Sequence, residues 1–184
     1  MQRSLASFLV ALAFLIAWPR LAGAQPSDPA AAFFDNRVLH DIYLSINSRD
    51  FQTLKDHYLE DTYYPADFKW GTEVVRNVAV RSRGTGSRSG TKLGLRVDFD
   101  YYTTNQKFVG LKSLVLRNSE QDPTNMHEQI AMLLFRKLGL FAPRETFARL
   151  FINNAYQGVY SVVESIIQVP VCHVPSHVIS SGPG

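Results

Sequence analysis

The sequence predicts an α+β fold: an antiparallel sheet with helices packed on one face. Several short segments alternate apolar and polar residues with a period of two, whereas only two carry a helical period. Neighbouring strands are joined by connections rich in turn-forming residues, giving the order β-α-β-β-β-α-β-β.

The chain opens with Arg3, an apolar run from Phe8 to Trp18, and the small-residue exit Ala22-Gly23-Ala24. This order of charged, apolar and small segments predicts a secretion signal over residues 1–24. A membrane anchor needs about 20 apolar residues, and this run is broken at Pro19-Arg20. The expected location is therefore secreted, periplasmic or cell-surface, with no membrane anchor after signal cleavage. Residues 25–34 begin small and proline-bearing and read as a linker, and 35–164 read as the folded unit.

Within that unit, Ile42, Leu44 and Ile46 alternate along a strand over 38–46. Asn47 or Ser48 caps a helix over 49–58, with Phe51, Leu54 and Tyr58 on one face. The Tyr, Asp and Pro content of 60–71 predicts an irregular connection. Strands follow over 73–82, over 93–100 (where Leu95, Val97 and Phe99 alternate with Arg96, Asp98 and Asp100), and over 111–117. Asp122-Pro123 is a helix start. Met126, Ile130, Leu133, Leu134 and Leu138 then recur at helical spacing until Gly139 stops the helix. Two strands, 146–153 and 158–164, flank a hairpin loop from Asn153 to Gln157. From Ser165 the chain holds three prolines and no acid, and 165–184 read as an unstructured tail.

Loss of the signal removes Arg3 and Arg20 and takes the formal charge from +3 to about +1. Nucleic-acid binding through bulk charge is disfavoured, because it needs a net basic field, so any anion site is local. The single cysteine, Cys172, makes no internal disulfide.

One local site stands out. Between Glu73 and Asp98 there is no acid, while Arg76, Arg81, Arg83, Arg88, Lys92 and Arg96 are interleaved with Gly84, Gly86, Gly90 and Gly94. Glycines allow close backbone approach and clustered guanidinium and ammonium groups bind phosphate oxygens. The same composition also suits a solvated loop. Glu128, early in the second helix, is placed either to orient a cation or merely to complement the helix dipole. Cys172, His173 and His177 have metal-ligand spacing but lie in the tail, and alternation separates His40, Asp41 and Ser45 along their strand, so no metal ligand and no hydrolytic triad is assigned. Tyr63, Tyr64 and Trp70 read as core or loop anchors.

Several ordered blocks carry a resemblance. They are Arg81-Ser82-Arg83-Gly84-Thr85-Gly86-Ser87, Lys92 leading into Leu95-Arg96-Val97-Asp98-Phe99, and Leu114-Val115-Leu116-Arg117-Asn118 with Asp122-Pro123. Further along stand Phe135-Arg136-Lys137-Leu138-Gly139-Leu140 with Ala142-Pro143, and Ile152 through Tyr160 with Glu164. Together they resemble the spore-coat-protein-H (CotH) kinase family over roughly residues 35–164.

The resemblance implies a secreted or surface atypical protein kinase that uses ATP and magnesium to phosphorylate serine on a protein substrate of a coat or the extracellular space. The chain then looks like the amino-terminal, small lobe. Arg83, Gly84 and Gly86 would cradle phosphates, and Lys92 would contact them. Lys112 is the second choice for that amine, and Glu128 would orient a lysine. The family's catalytic and metal-binding aspartates lie beyond a position equivalent to Glu164, where this chain has no acid. No catalytic residue is therefore assigned, and a truncated, catalytically incompetent chain is expected. The alternative is a non-catalytic extracellular module whose Arg/Gly-rich hairpin grips an anionic partner.

Overall fold

The computed structural model describes residues 28–122 and 124–165. The predicted signal, the first linker residues, Pro123 and the tail beyond Ser165 (with Cys172, His173 and His177) lie outside the described residues. The elements are β1 (His40–Ile46), α1 (Ser48–Asp56), β2 (Tyr64–Trp70), β3 (Glu73–Ser82), β4 (Leu95–Asp98), β5 (Ser113–Arg117), α2 (His127–Lys137), β6 (Glu145–Ile152) and β7 (Ala155–Glu164).

The seven strands close into a barrel in the order β1-β2-β3-β4-β5-β7-β6. This corrects the expected open antiparallel sheet with helices on one face, and with it the likeness to a kinase small lobe. Closure comes from a parallel pairing of β1 with β6, His40 opposite Ala148 and Leu44 opposite Ile152, whereas every other pair is antiparallel. The expected helix-covered face does not exist because the inward side chains are buried against one another across the barrel.

The two ends are sealed differently. At one, Phe33 packs edge-on to Trp70 and Phe108, with centroids 5.2 and 4.9 Å away, and Phe68 meets Phe108 at 4.8 Å. Ala30 and Phe33 are fully buried in the core although their segment reads as a linker. At the other end, Leu54 of α1 is buried, with Phe51 partly buried beside it, against Leu44, Ile46, Ala66 and Ile152. Asn47 caps α1, its side chain accepting the amide proton of Arg49 at 2.9 Å.

Some expected elements shift. β2 occupies much of the stretch read as irregular: Tyr64, Ala66, Phe68 and Trp70 turn inward in alternation with exposed Pro65, Asp67 and Lys69, and the register break opposite Ala66 and Phe68 is taken up by an extra residue on β3. The β6–β7 connection is a two-residue turn, Asn153-Asn154 with φ of 50° and 66°, tighter than the expected five-residue loop. α2 begins at His127 rather than beside Asp122, whose carboxylate reaches forward to accept the His127 amide at 2.9 Å. The stop at Gly139 is observed, with φ of 74° and the Leu140 amide donating to the Phe135 carbonyl at 2.9 Å.

α2 is inside out. Its half-buried residues are Glu128, Gln129, Ala131, Met132 and Arg136, whereas Ile130, Leu133, Leu134 and Phe135 face solvent, and no residue of the helix is fully buried. The apolar period is real but marks the solvent side, so the usual inference from stripe to core fails here. The consequence is measurable by denaturant unfolding. Ile130→Lys or Leu134→Lys is expected to change stability by no more than about 0.5 kcal/mol. Phe108→Ala, in the sealed end, is expected to lower it by about 3–5 kcal/mol.

Candidate functional site

The connection from β3 to β4 folds over the barrel rim beside α1. It is pinned where Arg83 donates its amide to the Gly94 carbonyl at 2.8 Å. A Cβ on Gly94 would stand 2.5 Å from the Arg83 carbonyl oxygen, so glycine is required for this approach. Arg88 folds back to donate to the Gly84 carbonyl at 2.9 Å and to the Leu59 carbonyl at 2.6 Å, tying the loop to the segment after α1. Asn118, just past β5, bonds the Ser87 and Lys92 carbonyls at 2.8 Å each, and Gln121 donates to the Gly86 carbonyl at 3.3 Å.

These contacts enclose a cavity of about 410 Å³ lined by Arg81, Arg83, Arg88 and Arg117 with Gly84, Thr85, Ser87, Gln121 and Asp61. A second hollow of about 180 Å³ shares Ser87, Arg117 and Gln121 and runs to Asn118, Asp122 and Glu128. Arg117, which ends β5, joins the two, and Glu128 of α2 holds its guanidinium at 3.0 Å. Burial pushes the Glu128 carboxyl up from its ordinary range, with Arg117 and Arg83 pulling against that effect. The Arg83 guanidinium is pushed down by burial and by the neighbouring arginines.

Of the residues expected from sequence, Arg83 and Gly84 line the larger cavity, Gly86 meets its wall through Gln121, and Glu128 lines the adjoining hollow. The amines lie elsewhere. Lys92 turns its Nζ onto the Val159 carbonyl at 3.1 Å, over the Tyr160 ring, and burial pushes its ammonium down. Lys112 pairs with Asp100 at 3.4 Å. The cation held by Glu128 is thus an arginine. Of the remaining basic run, Arg96 is committed to Asp98 at 2.8 Å.

The residue that sequence reasoning left without a role is Arg117. Its signal was present: Arg117 is a charged residue directly after the apolar run Leu114-Val115-Leu116, all buried, so it ends the strand at the rim.

A family model described as CotH kinase protein matches residues 80–168, the stretch that contains the glycine loop, Arg117, Glu128 and the β6–β7 hairpin. Over this stretch the chain is similar to the CotH family. Among curated relatives, the inner spore coat protein H of Bacillus subtilis is 26% identical over 123 residues, covering 67% of this chain and 33% of the relative. Spore coat protein homolog 1 of Rhizopus delemar is 20% identical over 141 residues, 76% of this chain and 23% of the relative. Invasin CotH3 of the same organism is 26% identical, over 61% of this chain and 22% of the relative. The chain therefore spans a third or less of the length of these CotH relatives.

Behind the ion pair lies a buried carboxyl that is unpaired among the described residues. Glu145, at the start of β6, is 3% exposed, and among the described residues neither carboxylate oxygen has a hydrogen-bond partner. Burial, then the charge of Glu128, push its carboxyl up to about 7, with the nearby Ser161 hydroxyl, Arg117 and Arg136 opposing. A carboxyl raised above its unfolded value of 4.5 keeps its proton longer in the native state. Its stabilisation is therefore complete below about pH 4.5 and is lost as the pH climbs to about 7. Glu145→Gln removes that loss. Urea unfolding is expected to show the variant more stable than wild type at pH 8, by up to about 3 kcal/mol, and the two nearly equal at pH 4.5. Parallel pH profiles would contradict the assignment.

Proposed function

We propose that this chain supplies the phosphate-gripping part of a CotH-type protein kinase acting at or outside the cell surface. By itself it binds nucleotide phosphates without transferring them. One observation carries the reading: four arginines and a glycine loop converge on a single cavity, one of the arginines being held by Glu128. Guanidinium forks match phosphate oxygens with two parallel hydrogen bonds, and fixed cations serve phosphoryl groups better than mobile ones. The surface location is supported by the signal-like start and by relatives named for spore coats and as an invasin. The family resemblance supports ATP as the phosphate source and serine on a coat or extracellular protein as the acceptor.

The donor set fits part of that chemistry. Arg83, Arg88 and Arg117 suit the phosphates of ATP. Magnesium needs several oxygen ligands, and among the described residues no group of three His, Cys, Asp or Glu side chains is arranged to hold a metal. These residues do not fit the metal, and no transfer step is derived through it. The same observation favours a second reading, a non-catalytic module that binds anionic partners through the cleft.

Calorimetric titration of the full chain with ATP, with and without magnesium, separates the two. Kinase ancestry predicts that ATP binds, that magnesium alters its affinity, and that Arg83→Met and Arg117→Met each weaken it at least tenfold, about 1.4 kcal/mol. Binding indifferent to magnesium and equal for sulfate and ATP favours the module. Affinity for ATP that survives both arginine substitutions overturns the cleft assignment.

A further inference from the structure

Among the residues lining the arginine cavity, Asp61 is the one acid. It stands in the connection between α1 and β2, and its Oδ1 accepts from Arg81 at 2.7 Å and from Arg88 at 2.5 Å. The two arginines are fixed by other contacts. Arg81 also donates to the Ser82 carbonyl at 3.1 Å and lies over the Tyr63 ring, and Arg88 is bonded to the Gly84 and Leu59 carbonyls. Their side chains are 17% and 15% exposed, against 66% for Asp61. The cations therefore belong to the wall, and the carboxylate is the partner free to leave.

Resting on the anion-site reading above, we infer that Asp61 is an internal competitor for the cleft. Its carboxylate occupies the Arg81–Arg88 pair, where an oxygen of a polyanionic ligand would otherwise bind. A polyphosphate that fills the cavity displaces it into solvent. An exposed carboxylate loses little on leaving an ion pair, so the exchange is feasible. The free arginine pair, however, would hold the incoming anion more tightly than the occupied one does. Asp61 thus lowers affinity for every polyanion, and its removal adds one cation to those that exchange counterions on binding.

The test uses inorganic tripolyphosphate as the probe, titrated calorimetrically into the full chain at two salt concentrations. Asp61→Asn, which keeps an acceptor and removes the charge, is expected to tighten binding about threefold to tenfold and to steepen the salt dependence. Asp61→Ser is expected to do the same, and thermal melts show whether each variant is folded. Unchanged or weaker binding by both folded variants, with wild type still binding, overturns the competitor and leaves the anion site standing. Absence of tripolyphosphate binding in wild type and both variants, or binding undiminished by Arg117→Met, overturns the site reading and the inference with it.

Discussion

The parallel seam between β1 and β6 is the constraint on which the rest of the molecule depends. It joins segments about a hundred residues apart and turns what would be two exposed sheet edges into a closed wall. The seam is reinforced on the outside by a two-pronged ion pair, Arg149 to Asp41 at 2.6 and 2.9 Å, and by the Tyr43 and Phe151 rings stacked at 4.8 Å. At its end, Asn153 donates its amide to the Leu44 carbonyl and accepts the Ile46 amide proton on its side chain, each at 2.9 Å. The tight Asn153-Asn154 turn thus both makes the β6–β7 hairpin and fastens it to β1.

Closure explains where the cleft lies. Once the barrel is shut and α1 fills one end, the β3–β4 loop cannot fold into the interior and lies across the rim instead. There the chain leaving α1, the end of β5 and the start of α2 all arrive, bringing Asp61, Arg117 and Glu128 to the same loop. The cationic wall is built from strand ends and loop backbone. Its arginines are therefore held by carbonyls and by single acids rather than by a packed apolar shell, and they remain available to a ligand.

Much of the strand content was legible. β1, β3, β4 and β5 announce themselves by alternation, and Gly139 ends its helix as its position implies. The topology was not, because a parallel contact between distant strands leaves no local trace in either of them. β2 was hidden because Pro65 and Asp67, residues that favour turns, stand at its outward positions, although Tyr64, Ala66, Phe68 and Trp70 keep the period. α2 misled for the opposite reason: its period is strong, but a charged side meets the barrel and covers the buried Glu145 while the aliphatic side faces out. For the cleft, the basic glycine loop and Glu128 are visible in the sequence, whereas the family resemblance points to a lysine as the partner of Glu128. Arg117 takes that place because it stands one residue before Asn118, which anchors the loop.

Closure of the barrel is tested most directly by native-state hydrogen exchange with NMR, read at the amides of β1. A closed barrel predicts that those from Ile42 to Ile46 exchange only through global unfolding, together with those of β6, and that cross-strand contacts link Ile42 to Leu150. Rapid, independent exchange along β1, with no contact to β6, would contradict closure and with it the placement of the arginine cleft on the rim.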